Sequence, residues 1–186
     1  VRGEVGELVL RAPWPGMTRG FWKEPERYLA TYWERFEGVW VHGDWASIDE
    51  DGFWFLHGRS DDTLNIAGKR VGPAEIESAV VALDEVVMAA AIGVPDPVKG
   101  EAVVVYAVPS PDAVDDPTLA DRVSEEIVRV LGKAFRPAAV HLVRDLPRTR
   151  SAKIMRRVVR ALALGEDPGD LSSLENPESL SGIGRL

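Results

Sequence analysis

The spacing of apolar positions changes along the chain. Up to residue 60 the apolar residues fall in short runs broken by glycine, proline and acids, the texture of short strands. Glu7-Leu8-Val9-Leu10 reads as a strand. Val39–His42 and Trp45–Ile48 read as two strands around a Gly43-Asp44 turn, and Asp49–Gly52 loops into a further strand over Phe53–Leu56. A helix over Pro25–Phe36 is predicted ahead of this meander.

Beyond Asp61 longer elements take over. Leu64–Val71 alternates around Gly68 as a short hairpin would. Pro73 stands where the first residue of a helix belongs, with Glu75 in the first turn and Ile76, Ala79, Val80 and Leu83 forming an apolar stripe. Val86–Val94 is a continuous apolar run, read as a buried strand, and Ala102–Val108 and Ala139–Val143 read as two more. Asp116-Pro117 is expected to open a helix with Leu119, Val123, Ile127, Val130 and Leu131 inward and Gly132 near its stop. A last helix is expected to be capped by Ser151, with Ile154, Met155, Val158, Val159 and Leu162 on one face. The resulting order predicts an α+β fold: a β-rich segment over 1–61, an α+β domain over 62–165 and an irregular tail over 166–186.

With 186 residues, 45% hydrophobic and 28% charged, the chain has the composition of a soluble globular protein. Its net charge of −8 argues against nucleic acid as a partner. One segment departs from that average. Arg144–Arg160 holds seven arginines and lysines against Asp145 alone, a net +6. The absence of cysteine removes disulfides, zinc-thiolate sites and thiol nucleophiles, and fits a reducing cytoplasm. Val86–Val94, the longest apolar stretch, is too short to span a bilayer, and no signal-peptide pattern is present, so no membrane partner is expected. The chain begins at Val1 and runs at once into strand-like sequence, as a piece of a longer chain would.

Lys153, two residues after the expected Ser151 cap, would lie in a helix's first turn, where the dipole opposes a cation but free N–H groups attract an anion. An anion site and a solvated lysine are both open, the latter being commoner. Arg156, Arg157 and Arg160 fall opposite the apolar stripe and read as a charged face. Asp44, after a strand, has the placement of a ribose-binding carboxylate, although an aspartate bonding its own turn is more frequent. Gly58–Asp62 marks a hinge or an ordinary surface loop. His42, His57 and His141 lack a metal-ligand spacing, and no protein-bound metal is expected.

Taken together these segments resemble a known family. Gly6-Glu7-Leu8, Gly20-Phe21-Trp22, His42-Gly43-Asp44, Gly58-Arg59-Ser60-Asp61-Asp62, the stretch Asn65 to Glu77, Pro147 to Arg157 and Gly169 to Leu174 occur in this order in adenylate-forming enzymes. The resemblance spans nearly the whole chain and is closest to AMP-forming acetyl-CoA synthetase and its short-chain relatives. It implies a ligase that joins a carboxylate to AMP from ATP, with Mg2+, and then transfers the acyl group to coenzyme A. It implies a small C-terminal domain that turns about a hinge between the two steps, and a large N-terminal domain of the same enzyme as its partner.

By the same resemblance Asp44 and Arg59 bind ATP or AMP, Asp61 is the hinge residue, Gly68 and Arg70 face coenzyme A, and Lys153 is catalytic in adenylation. Lys153 would also be a target of a protein acetyltransferase and deacetylase. Two features depart from the family pattern. Ala152 stands where glycine usually precedes the lysine, harmless at a helix start but strained by about 1 kcal/mol or more if φ is positive. The phosphate loop, adenine motif and acyl pocket of the large domain do not occur, so this chain alone is expected to be inactive. Two other functions fit the same residues: an adenylation domain loading a carrier protein, and a stand-alone binding or regulatory module using Arg144–Arg160.

Overall fold

The computed structural model describes residues 2–186, which divide into two compact units, one running to Thr63 and the other from Leu64 to Leu186. The first unit is a three-stranded antiparallel sheet, in order β1 (Gly6–Leu10), β2 (Trp40–Ile48) and β3 (Trp54–Arg59). The two strands expected around Gly43-Asp44 are one continuous strand, β2. Gly43 at φ +85° and a register shift at Trp45/Ala46 absorb the irregularity that reads as a turn in the sequence. Helix α1 (Pro25–Tyr32) stops short of the expected Phe36. At its end the Tyr32 ring stacks on Trp40 with centroids 4.7 Å apart, fastening the helix to β2.

The second unit is a mixed sheet covered on both faces. A tight hairpin, β4 (Leu64–Ile66) and β5 (Lys69–Val71), turns at Ala67 and Gly68, with φ +50° and +80°. Two consecutive left-handed residues match the twist of a two-residue hairpin. Helix α2 (Pro73–Val81) starts at Pro73 as expected, and Glu75 reaches back to accept the Gly72 N–H at 3.0 Å. Strands β6 (Val86–Asp96) and β7 (Gly100–Pro109) pair antiparallel along their length. The other edge of β7 takes β4 at Gly100 and, further along, β8 (Ala139–Leu142) in parallel. The parallel pairing requires a crossover, which α3 (Leu119–Leu131) supplies.

Side chains alternate between two cores. Ala89, Ala91, Val103 and Val105 face Ile76 and Val80 of α2 and Leu119, Val123 and Ile127 of α3. Ala90, Ile92, Val104 and Tyr106 face Leu146, Val159, Ala163 and Ile183. Burial on both faces explains why β6 reads as an unbroken apolar run. Helix α3 begins at Leu119 rather than Asp116-Pro117, because the Asp116 carboxylate takes the Thr118 N–H and hydroxyl in a turn ahead of it. Val130, expected inward, is exposed.

One expectation fails near the C-terminus. Helix α4 spans Arg156–Leu164 and is not capped by Ser151. Residues 149–153 close into a turn instead, in which Ala152 has φ +61°, a conformation no α-helix accepts. The tail beyond Gly165 has little regular structure, but it is packed. Asn176, Ser179 and Ile183 are buried, and a 3-10 turn runs over Pro177–Gly182.

Candidate functional site

In the first unit, strand register sets Asp44 directly opposite Arg59. The Arg59 guanidinium grips Asp61 through Nε at 2.8 Å and Nη2 at 2.7 Å, and its Nη1 approaches the His42 carbonyl at 3.4 Å. His42 Nδ1 hydrogen-bonds the Asp44 carboxylate. A side chain at Gly43 would strike the Arg59 guanidinium, with 2.8 Å from its Cβ to Nη2, so glycine there leaves the arginine its place. The strand pair thus brings Asp44, Arg59 and Asp61 together with His42. The hydrogen bond to Asp61 raises the Arg59 pKa, and the same bond holds the Asp61 carboxyl below its ordinary range. The cluster pairs a guanidinium with the Asp61 carboxylate, beside an Asp44 carboxylate oriented by an imidazole. Such a set presents acceptors for hydroxyl groups beside a donor for phosphate oxygens.

Behind this cluster is an arrangement that sequence reasoning missed. Glu7, its side chain 8% exposed, accepts from Ser60 Oγ and from Arg35, both at 2.7 Å. Its partners come from 28 and 53 positions away, so local pattern carries no sign of it.

In the second unit, the β4–β5 hairpin buries Leu64, Ile66 and Val71 and leaves Gly68, Lys69 and Arg70 exposed. The Ala67 N–H donates to the Lys99 carbonyl at 2.9 Å and Glu101 accepts the Asn65 N–H at 2.7 Å, holding the turn against the start of β7. A Cβ at Gly68 would meet no atom of the chain within 4 Å, so the restriction at this position is its φ of +80°.

Lys153 lies on the closed turn ahead of α4, three residues before the helix, and its side chain is exposed. The Thr149 N–H donates to the Lys153 carbonyl at 2.9 Å, and Thr149 Oγ1 accepts the Lys153 N–H at 3.2 Å. The Ala152 N–H closes on the Thr149 carbonyl at 2.8 Å. Arg148 bridges to Ile154, and the Met155 N–H reaches the Pro147 carbonyl at 2.8 Å. Lys153 is therefore carried by a small hairpin rather than a helix start, and no helix dipole acts on it as a first-turn residue.

The expected charged face of α4 is also revised. Arg156 is bound to Glu77, Arg157 donates to the carbonyls of Pro168 and Asp170, and Arg160 donates to the Gly93 carbonyl at 3.0 Å. These cations are structural fasteners. Among the described residues no three histidine, cysteine, aspartate or glutamate side chains gather as a metal site, and no helix is long and apolar enough to cross a membrane.

The chain has relatives among known proteins. The AMP-binding enzyme C-terminal domain family matches residues 75–153. An acetyl-coenzyme A synthetase of Methanothrix thermoacetophila is 43% identical over 97% of the chain, and a 3-hydroxypropionyl-coenzyme A synthetase of Sulfurisphaera tokodaii is likewise 43% identical over 97%. The chain spans 28% of the length of each of these relatives. Among solved structures, acetoacetyl-CoA synthetase from Streptomyces lividans superposes with TM-score 0.84 at 33% identity, covering 97% of this chain and 28% of its own. The amide bond synthetase McbA from Marinactinospora thermotolerans superposes with TM-score 0.70 at 32% identity, covering 87% of this chain and 32% of its own. The chain therefore carries, over residues 75–153, the C-terminal domain of the AMP-binding enzymes, and along nearly its whole length it is similar to acyl-coenzyme A synthetases of the adenylate-forming kind.

Proposed function

We propose that this chain is the nucleotide-binding and catalytic-lysine portion of an ATP-dependent, AMP-forming ligase that makes acyl-CoA from acetate or another short-chain acid. In the first step a carboxylate oxygen bonds to the α-phosphorus of ATP, which enters with Mg2+, and the bond to pyrophosphate breaks. In the second the coenzyme A sulfur, losing its proton, bonds to the acyl carbon, and the acyl–oxygen bond to AMP breaks.

Asp44 is suited to accept the ribose hydroxyls, with His42 holding its carboxylate in place. Arg59 offers its guanidinium toward ribose or phosphate, and Asp61, bound to it, is the residue about which the hinge turns. Lys153 supplies positive charge to the carboxylate and phosphate oxygens as charge redistributes in the first step. Gly68 and Arg70 serve the second step on the hairpin, where an open glycine turn admits the thiol-bearing arm and a nearby cation suits its phosphates. Acetylation of Lys153 by a protein acetyltransferase would remove that charge and stop the first step while leaving the turn intact.

The observation that supports this reading most is the exposed Lys153 on its own closed turn, in a chain 43% identical to acetyl-coenzyme A synthetase. The test uses the complete enzyme containing this chain. Lys153→Ala is expected to lower acid-dependent ATP–pyrophosphate exchange by about 100-fold or more, with thioester formation from preformed acyl-adenylate and coenzyme A largely kept. Equal loss of both steps would overturn the assignment. The structural likeness to an amide bond synthetase supports a second reading, the same adenylation with an amine or a carrier-protein thiol as acceptor. Thioester formation with free coenzyme A separates the two.

A further inference from the structure

The segment that delivers Lys153 is pinned on both sides, and one of its clamps lies outside residues 75–153. On one side Pro147–Thr149 pairs with Lys153–Met155 to close the lysine turn. On the other the tail is laid against Arg148 and Thr149 of the same segment. Thr149 bridges to Leu174, and the Glu175 N–H donates to the Arg148 carbonyl at 2.9 Å. Asn176 completes the contact. Its Nδ2 donates to Asp145 Oδ2 at 2.8 Å and to the Leu146 carbonyl at 2.9 Å, while its Oδ1 accepts the Arg148 N–H at 3.0 Å.

Asn176 is 3% exposed, and Leu146 beside it is fully buried. Asp145 also takes the Leu146 N–H and Arg148 Nη1, so one carboxylate and one amide together fix the backbone of 145–148. Burial pushes the Asp145 carboxyl up, but the Asn176 amide, the Leu146 N–H and Arg148 hold it below its ordinary range. An amide is the side-chain type that gives donors and an acceptor at once from so short a stem. A buried residue with this bonding, reaching a loop 28 positions earlier, fixes where that loop sits.

We infer that Asn176 is a positioning residue for Lys153: through the Leu146–Thr149 segment it holds the lysine turn in the place adenylation needs. This rests on the role proposed above for Lys153. Asn176 touches no reacting atom. Its removal leaves an unpaired backbone N–H, carbonyl and carboxylate oxygen beneath the turn, and small misplacements of a catalytic group cost large factors in rate.

The experiment compares Asn176→Ala with Ile127→Val in the complete enzyme. Ile127 is buried on the opposite face of the sheet and serves as a control for general loss of stability. Two measurements are made on each: both half-reactions, and the rate of tryptic cleavage after Arg148, Arg150 and Lys153. Asn176→Ala is expected to cleave several-fold faster at these bonds and to lose about tenfold or more in ATP–pyrophosphate exchange, with thioester formation from acyl-adenylate retained. Ile127→Val is expected to leave the ratio of the two half-reactions unchanged. If Asn176→Ala does not fold, Asn176→Ser gives the same comparison. Exchange at the parent level, or an equal fall in both half-reactions, overturns the inference. If Lys153→Ala separates the half-reactions and the Asn176 variants do not, this inference alone fails; if Lys153→Ala does not separate them, the proposed function fails.

Discussion

Arg156 and Glu77, 79 positions apart, meet as a bidentate ion pair, Nε to Oε1 at 2.6 Å and Nη2 to Oε2 at 2.5 Å. Glu77 Oε1 also accepts the Ala91 N–H at 3.0 Å, so the pair joins α4, α2 and β6 at one point. The two side chains are 26% and 12% exposed, which places them between a surface pair and a buried one. Arg156→Ala should cost about 2–3 kcal/mol, below the range for a fully buried pair because water still reaches it. Arg156→Lys should recover only part, since a lysine has no fork to match the carboxylate. Urea denaturation of the 186-residue chain measures both; a loss under about 0.5 kcal/mol for Arg156→Ala would show the pair to be incidental.

Arg122 bridges Glu85 and Asp116, at 2.6 Å to each. The hydrogen bond from Arg122 holds Glu85 below its ordinary 4.5, and the Thr118 hydroxyl and N–H, with Arg122, hold Asp116 below 3.8. Depressed folded-state values mean the stabilisation is complete above those ordinary values and is lost as pH falls through the folded ones. The stability difference between the parent chain and Arg122→Ala should therefore be constant above about pH 5 and shrink below about pH 4. Urea midpoints at pH 7, 5, 4 and 3 test this, and a difference unchanged at pH 3 would contradict it.

Ala152 occupies the left-handed region at φ +61°. Ala152→Gly should raise stability by about 1 kcal/mol or slightly less, since strain relief is partly offset by the freer unfolded chain. A lower thermal midpoint for the glycine variant would show that the turn is held at no cost by its hydrogen bonds.

Gly68→Leu should fold, because its Cβ enters open space, with a cost of about 1–2 kcal/mol from the positive φ. In the complete enzyme ATP–pyrophosphate exchange should persist and thioester formation should fall, the reverse of Lys153→Ala. Loss of exchange with thioester formation intact would assign the hairpin to the wrong step.

The purified 186-residue chain should show no acetate-dependent ATP–pyrophosphate exchange. It spans 28% of the length of its acetyl-coenzyme A synthetase relatives, and its sequence has no Ser/Thr/Gly-rich loop to hold the phosphates. Exchange by this chain alone would refute that directly.

What could be read from the sequence was what short-range chemistry decides. Pro73 and Glu75 mark the start of α2 because first-turn geometry selects those residues, and Gly68 marks the hairpin because its turn needs a left-handed residue that glycine adopts freely. Ser151 misleads for the same reason. Its composition suits a helix cap, but Thr149, two residues earlier, captures both the N–H and the carbonyl of Lys153 and closes a different turn. The parallel placement of β8 and the roles of Glu7, Arg156 and Asn176 depend on partners tens of residues away. Periodicity carries no information about such pairs. Arg156 therefore reads as a solvated charge although it is bound to Glu77.

Strand β7 gives one edge to β6 and lends the other to two short strands in succession, β4 at Gly100 and β8 from Val104 to Ala107. The first carries the Gly68 hairpin, and the chain leaving the second runs directly to Lys153. Their attachment points are four residues apart on one strand, roughly 13 Å at about 3.3 Å per residue. Two turns mounted on one rigid strand cannot be brought forward independently. Any movement of this sheet that carries the lysine turn also carries the glycine turn, by an amount the sheet dictates. On the roles proposed for Lys153 and Gly68, slackening either attachment would blur the order of the two steps before it slowed either step.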